Sequence, residues 1–405
     1  MTSVDVVAAL PRLRFDLREL AGAVGDLGVF VPIAVAMIVV NGLSATAVMV
    51  PAGLLYIVAG YVYRVPVPVQ PLKAFGAIAI ALHLGPDEIA AGSILMGATF
   101  VVLSATGALD RVARVFPVVL VRAVQLSVGL LFLKIAFGLV SAPPMAFVDH
   151  QRPAWYLIGG SLVVVVLAVV FRRYAISLVL VTVAAVSVVV LGPGLPALGP
   201  SALHLPHLTV AVFASAALSL ALPQIPLTFA NSCLGTEEAA RSYFGAAASR
   251  VRAGRLAMTL GIANLAAGAI CGMPVCHGAG GMTAHRAFGA RTGGAPIMIG
   301  GVLVAVGLGA GAGLGIALGG FPLPILAGLL TVAGFFHLAL LRDLRRPGDW
   351  ALAVVVGVVG AATNLAVALA GGLLLWWALV AFRGSRPGRD EPSRLVEPDG
   401  KPIST

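Results

Sequence analysis

Val65-Pro66-Val67-Pro68-Val69-Gln70-Pro71-Leu72-Lys73-Ala74 breaks an apolar stretch at its centre, and Gly272-Met273-Pro274-Val275-Cys276-His277-Gly278-Ala279-Gly280-Gly281 breaks a second one in a similar style. Proline removes a backbone donor and blocks the helix N-terminal to it, so each stretch should be extended first and helical afterwards. Inside a bilayer, such non-helical backbone survives only where protein or a water-filled cavity satisfies it. A matching pair of interrupted segments, one in each half of a chain, points to a transporter's substrate site.

The surrounding composition agrees. The chain of 405 residues is 60% hydrophobic and 10% charged, with a mean hydropathy of +1.03. A soluble domain is nearer a quarter charged, so this is an all-α polytopic membrane protein. Apolar runs give fourteen candidate spans, near 20–41, 43–62, 66–84, 88–108, 117–140, 154–171, 174–192, 207–235, 254–271, 274–288, 295–318, 321–341, 349–363 and 365–382. The last two share one run and read as a hairpin of partial spans. With the N-terminus inside, Arg64, Arg111, Arg172, Arg241, Arg286 and Arg342 fall on the cytoplasmic side with their basic neighbours, and the opposite side carries only Arg152. That bias predicts both termini in the cytoplasm of a multi-pass inner (plasma) membrane protein. The net charge of +10 is then a topology signal, and nucleic acid is not an expected partner.

Residues 1–19 read as an amphipathic lead-in at the membrane surface, and 383–405 as a disordered cytoplasmic tail. Cys233, Cys271 and Cys276 stand in apolar surroundings and suggest core residues, without a disulfide or metal framework. No cofactor is implied. Residues 20–192 and 207–382 each hold seven candidate spans, so the second half should be inserted upside down relative to the first. Spans three and ten then enter from opposite faces, and their breaks meet near the midplane. Spans one and eight correspond loosely, through Gly25-Asp26-Leu27-Gly28 and Leu222-Pro223-Gln224-Ile225-Pro226-Leu227-Thr228.

These segments, with Asn231-Ser232 and Arg286-Ala287-Phe288-Gly289-Ala290-Arg291, together resemble the molybdate transporter family, a relative of the SulP sulfate permeases. The resemblance spans nearly the whole membrane region. Leu72 and Val275 depart from it, Met being usual at the first position and Met or Cys at the second; both changes stay apolar. The C-terminal regulatory domain usual in the SulP permeases has no counterpart here. The resemblance implies a seven-plus-seven inverted repeat, in which a core domain (spans 1–4 and 8–11) moves against a gate domain (spans 5–7 and 12–14). Dimers are common among relatives with this fold, which leaves a homodimer open.

The residues themselves suit an oxyanion. A helix that begins at the midplane offers unpaired N–H groups and about half a positive charge. Two such ends facing each other give roughly one unit without an exposed side chain. Gln70, Gln224, Thr228, Asn231, Ser232 and His277 are candidate donors to a tetrahedral anion, and Gly278, Gly280 and Gly281 leave the backbone open to close approach. Lys73 reads as attraction for a dianion or as a structural ion pair with Asp26. Asp26 is a candidate coupling-proton carrier, or else caps a helix. Glu237, Glu238 and Arg241 read as a solvated ion pair, and Arg122, Gln125 and Lys134 as anchors of the gate.

The expected activity is secondary active import of molybdate by alternating access, with sulfate or tungstate as the alternative cargo. No P-loop suggests direct ATP drive. An anion channel of the same fold is a weaker reading. An intramembrane lipid-phosphate enzyme would need clustered acids, a metal site or an activated nucleophile, and neither Glu237-Glu238 nor the lone His277 forms such a cluster.

Overall fold

The structure is a computed structural model, which describes residues 11–382 apart from 25–26, 110, 112–116, 171–174, 192–193 and 195. Asp26 and the tail therefore lie outside the described residues, as do most of the expected lead-in. The chain is mainly helical. Its helices are α1 (Leu17–Val24), α2 (Leu27–Val39), α3 (Ala45–Tyr63), α4 (Lys73–Ala81), α5 (Pro86–Ala105), α6 (Val118–Ser141), α7 (Ala154–Val170), α8 (Ala175–Leu191) and α9 (Val210–Ala216). They continue as α10 (Leu222–Leu227), α11 (Gly235–Phe244), α12 (Ala253–Gly268), α13 (Ala279–Ala287), α14 (Gly294–Gly309), α15 (Gly311–Ala317), α16 (Leu323–Ala339), α17 (Pro347–Ala362) and α18 (Leu365–Phe382).

Five helices among the described residues are long and apolar enough to cross a membrane, or seven if each of two bent pairs counts as one span. Three shorter apolar helices accompany them. The expected spans at 66–84 and 274–288 hold helices of only nine residues, because their proline-rich first parts are extended. The expected span at 207–235 runs on as one long helical stretch to Ala248. It tolerates Pro223 and Pro226 because π-helical turns at Ala217–Ala221 and Thr228–Leu234 flank them and shift the hydrogen-bond register.

Two packed groups emerge. In one, α3 lies along α14 and α5 along α12; in the other, α6 packs on α16 and α17, and α7 on α16. Glycines bring the helix axes together. A Cβ on Gly53 would lie 2.7 Å from the Gly300 carbonyl oxygen, and one on Gly300 would lie 2.5 Å from that of Gly53. Gly97 and Gly261 form the same reciprocal contact between α5 and α12, and Gly129 and Gly334 between α6 and α16. Without a hydrophobic drive inside lipid, such close approach is what holds helices together. Gly307, Gly311 and Gly313 pack equally tightly, against Met49 and Val50, Thr46, and Ala197.

The N-terminal helix is fastened to the loop between α13 and α14. Asp16 caps α1 by accepting from the amides of Arg18 and Glu19, each at 3.0 Å. The bond from the Glu19 amide, ahead of the others, holds the Asp16 carboxyl below its ordinary value. Glu19 is buried, and its Oε1 accepts from the amides of Arg291 at 3.0 Å and Thr292 at 2.9 Å. In the second group, Arg122 is bonded to Asp343 and to Gln125.

Candidate functional site

The two interrupted stretches meet. Strand β1 (Gln70–Pro71) pairs antiparallel with β2 (Val275–Cys276), Gln70 opposite Cys276 and Pro71 opposite Val275. Each strand leads into a short helix within three residues, so α4 and α13 both begin at this pairing. Four prolines, at 66, 68, 71 and 274, keep the approach extended and deny it helical bonds.

A buried extended segment must find partners for its backbone groups elsewhere. The Leu72 amide donates to the Pro274 carbonyl at 3.1 Å. Asn264 of α12 is wholly buried and serves Val275 on both sides, donating from Nδ2 to its carbonyl at 2.9 Å and accepting from its amide at 2.7 Å. Thr236 donates to the His277 carbonyl, with the Asn231 carbonyl equally near its hydroxyl at 3.1 Å.

His277 is wholly buried. Its Nδ1 lies 2.9 Å from the Pro68 carbonyl, which can only accept, so Nδ1 carries the hydrogen. Its Nε2 then accepts from the Thr259 hydroxyl at 3.0 Å. Tyr63 continues this network, 2.7 Å from the Thr259 hydroxyl and edge-on to the His277 ring. The imidazole thus ties the extended approach to β1 at Pro68 to α12 and α3, with both nitrogens engaged inside the protein.

The remaining candidates gather at the helix starts. Lys73 donates from Nζ to Gln70 Oε1 at 2.7 Å. A Cβ on Gly278, the residue preceding α13, would lie 2.2 Å from that same oxygen and 3.3 Å from Nζ. Gln70, Lys73 and the start of α13 therefore converge on one point. Gln224 reaches across from α10, accepting from the Phe75 amide at 2.9 Å and donating to Thr228 Oγ1 at 2.9 Å. It fills one donor of the first turn of α4 and leaves the Lys73 and Ala74 amides facing forward without an intrahelical acceptor. Gly280 is exposed, and a side chain there would meet nothing within 4 Å. Gly281 is buried one residue further on, and Ser232 is buried in the π-helical turn with half-buried Asn231.

Glu237 is paired with Arg241, as its spacing suggests, and also accepts from the Ala253 amide at 2.7 Å. Neither it nor Glu238 belongs to the helix-start cluster just described. Sequence reasoning missed Tyr63, Thr236, Thr259 and Asn264. Asn264 carried a usable signal, a carboxamide within an apolar span, where a polar group needs a partner.

A family described as "Molybdate transporter of MFS superfamily" matches residues 18–132 and 216–336, more than half of the chain. The chain belongs to the molybdate transporter family. Molybdate transporter 1 of Arabidopsis thaliana is 29% identical over 430 residues, covering 96% of this chain and 93% of that protein. Molybdate transporter 2 of the same plant is 30% identical over 384 residues, covering 84% and 82%. Among solved structures, the transmembrane domain of a cyanobacterial bicarbonate transporter, BicA, superposes with a TM-score of 0.62 at 18% identity, over 90% of this chain and 99% of that one. A murine Slc26a9 anion transporter in the inward-facing state gives 0.65 at 14% identity, over 93% and 70%. At these identities the likeness shows the fold alone. The family description names the MFS superfamily, whereas the solved neighbours are a bicarbonate transporter and a member of Solute Carrier family 26. The chain is a multi-pass membrane transporter, and its relatives are transporters rather than enzymes.

Proposed function

We propose that this protein is a secondary active transporter that imports molybdate by alternating access. The anion is held between the first turns of α4 and α13, facing Lys73 and the backbone of Gly278 and Gly280, with Gly281 behind them, its amide already donating to the Gly278 carbonyl at 3.0 Å. The observation that carries this reading is the β1–β2 pairing, which makes two helix N-termini begin together beside one lysine. Each terminus contributes about half a positive charge, and the ammonium adds a full one, which suits a dianion. Relatives along nearly the whole chain are named molybdate transporters, which supports molybdate ahead of sulfate as the cargo.

On this reading Gln224, Thr228 and His277 shape the site from behind, since their polar groups already bond within the protein. Asn231 and Ser232 belong to its wall on α10–α11, and Asp26 carries the coupling proton.

Alternating access needs two bodies, and the packing supports two. The group built on α3, α5, α12 and α14 would move against the group built on α6, α7, α16, α17 and α18, with α4 packed on α6 where the two bodies meet. The pairs also support an inverted seven-plus-seven repeat. Exchanging each span with the one seven places later turns the α5–α12 pair into α14–α3, and the α6–α17 pair into α16–α7. Both termini would then be cytoplasmic, in line with the arginine bias.

The test is uptake of labelled molybdate by proteoliposomes at nanomolar concentration, with sulfate and tungstate as competitors and a proton gradient on or off. Saturable uptake that resists a large excess of sulfate and rises with the gradient is expected. Uptake abolished by modest sulfate would make it a sulfate permease, and no oxyanion uptake would refute the proposal.

A further inference from the structure

We propose that the Gln70 carboxamide is a built-in competitor for the anion, a neutral oxygen that accepts from Lys73 and gives up that donor when the anion binds. This rests on the anion reading above. The atom facing Lys73 Nζ at 2.7 Å is the amide oxygen, because an ammonium can only donate. The same oxygen lies so close to Gly278 that a Cβ there would come within 2.2 Å of it. It therefore sits where the ammonium and the start of α13 meet, the place an oxyanion oxygen would take.

Gln70 is 2% exposed, so this contact is a fixture of the site and no surface accident. A second carboxamide does the same at α4, where Gln224 Oε1 takes the Phe75 amide. A donor left without an acceptor among these packed helix starts would be unsatisfied, which is costly. A carboxamide oxygen satisfies such a donor, yet it is a weaker acceptor than a charged oxyanion and yields to one. Gln70 thereby sets how strongly an anion must bind to enter. Weak oxyanion acceptors fail to displace it, which makes the position a determinant of affinity and specificity.

The sign of the effect separates this from an ordinary ligand role. Gln70→Met keeps the side-chain volume and loses the oxygen, and Gln70→Glu places a full charge on Lys73. Equilibrium binding of labelled molybdate to the purified full-length protein is measured for each variant, alongside its melting temperature. The expectation is about tenfold tighter binding by Gln70→Met and at least about a hundredfold weaker binding by Gln70→Glu at neutral pH. Weaker or unchanged binding by a folded Gln70→Met overturns the proposal and makes Gln70 a direct ligand or a bystander. If Gln70→Met does not fold, Gln70→Asn withdraws the oxygen by one methylene and should also tighten binding; weaker or unchanged binding there is equally fatal. Binding by Gln70→Met when wild type binds too weakly to detect supports the competitor directly. No binding by wild type or any folded variant refutes the anion reading itself.

Discussion

Gly280→Val separates fold from function at a single atom group. Gly280 is exposed in the first turn of α13, with nothing within 4 Å of an added Cβ. Its backbone is helical with no positive φ, so a side chain brings no strain. The protein should assemble normally. Replacing a helical glycine by alanine stabilises by about 0.5–1 kcal/mol, and valine returns part of that gain through its restricted rotamers. Helical Cα–Cβ bonds tilt toward the N-terminus, however, so the valine methyls enter the space in front of the first-turn amides. An anion kept off two of them loses two charge-assisted hydrogen bonds, each worth about 1.5–3 kcal/mol. A net loss of about 3 kcal/mol corresponds to more than a hundredfold in Kd. The assay pairs a thermal melt in detergent with equilibrium binding of labelled molybdate, with Gly280→Ala as the intermediate case. An unchanged Kd in a folded Gly280→Val protein would refute the site at α13.

Lys73→Met should weaken molybdate binding about ten- to a hundredfold, the worth of one charge-assisted bond, as measured by the same binding assay. Asn264→Leu strands the buried amide and carbonyl of Val275 and should destabilise by about 2–4 kcal/mol, read as a lowered melting temperature. Glu19→Ala loses the acceptor for two amides and should lower the melting temperature, whereas Glu19→Gln keeps that acceptor and should restore most of it.

The broken helices were legible because proline chemistry is local. Pro66, Pro68, Pro71 and Pro274 set extended backbone whatever surrounds them, and glycines 278, 280 and 281 mark the helix start that follows. The long apolar runs likewise announce α3, α5 and α6 with boundaries close to those observed. What stayed hidden depends on partners distant in sequence. His277 and Gln224 are polar groups in apolar stretches, and sequence alone cannot tell an acceptor in the protein from one in a ligand. Only the nearness of Pro68, Thr259 and Phe75 shows how these two are occupied. Span lengths were also overread, since an apolar run does not reveal where extended backbone replaces helix inside it. At Pro223 and Pro226 the expected span 207–235 runs straight through, and π-helical turns carry the helix past residues that usually end one.

The way the halves interlock leads to a last prediction. Helices α3, α5 and α6 lie in the first half, and their main partners α14, α12, α16 and α17 lie in the second. The reciprocal glycine contacts Gly53–Gly300, Gly97–Gly261 and Gly129–Gly334 all cross between halves. So does the β1–β2 pairing, which gives each half only one side of the candidate site. A half expressed alone would turn these glycine-flattened faces toward lipid, which cannot fill them as a shaped partner does. Cutting the chain after the exposed loop residue Gly194 tests this. Each fragment alone should be readily proteolysed in membranes and bind no molybdate. Co-expressed, the two should purify as a complex that melts in one transition and takes up molybdate, because the cut removes no contact between helices. A single fragment that resists protease and binds the anion would show that the halves are independent domains, contrary to the packing.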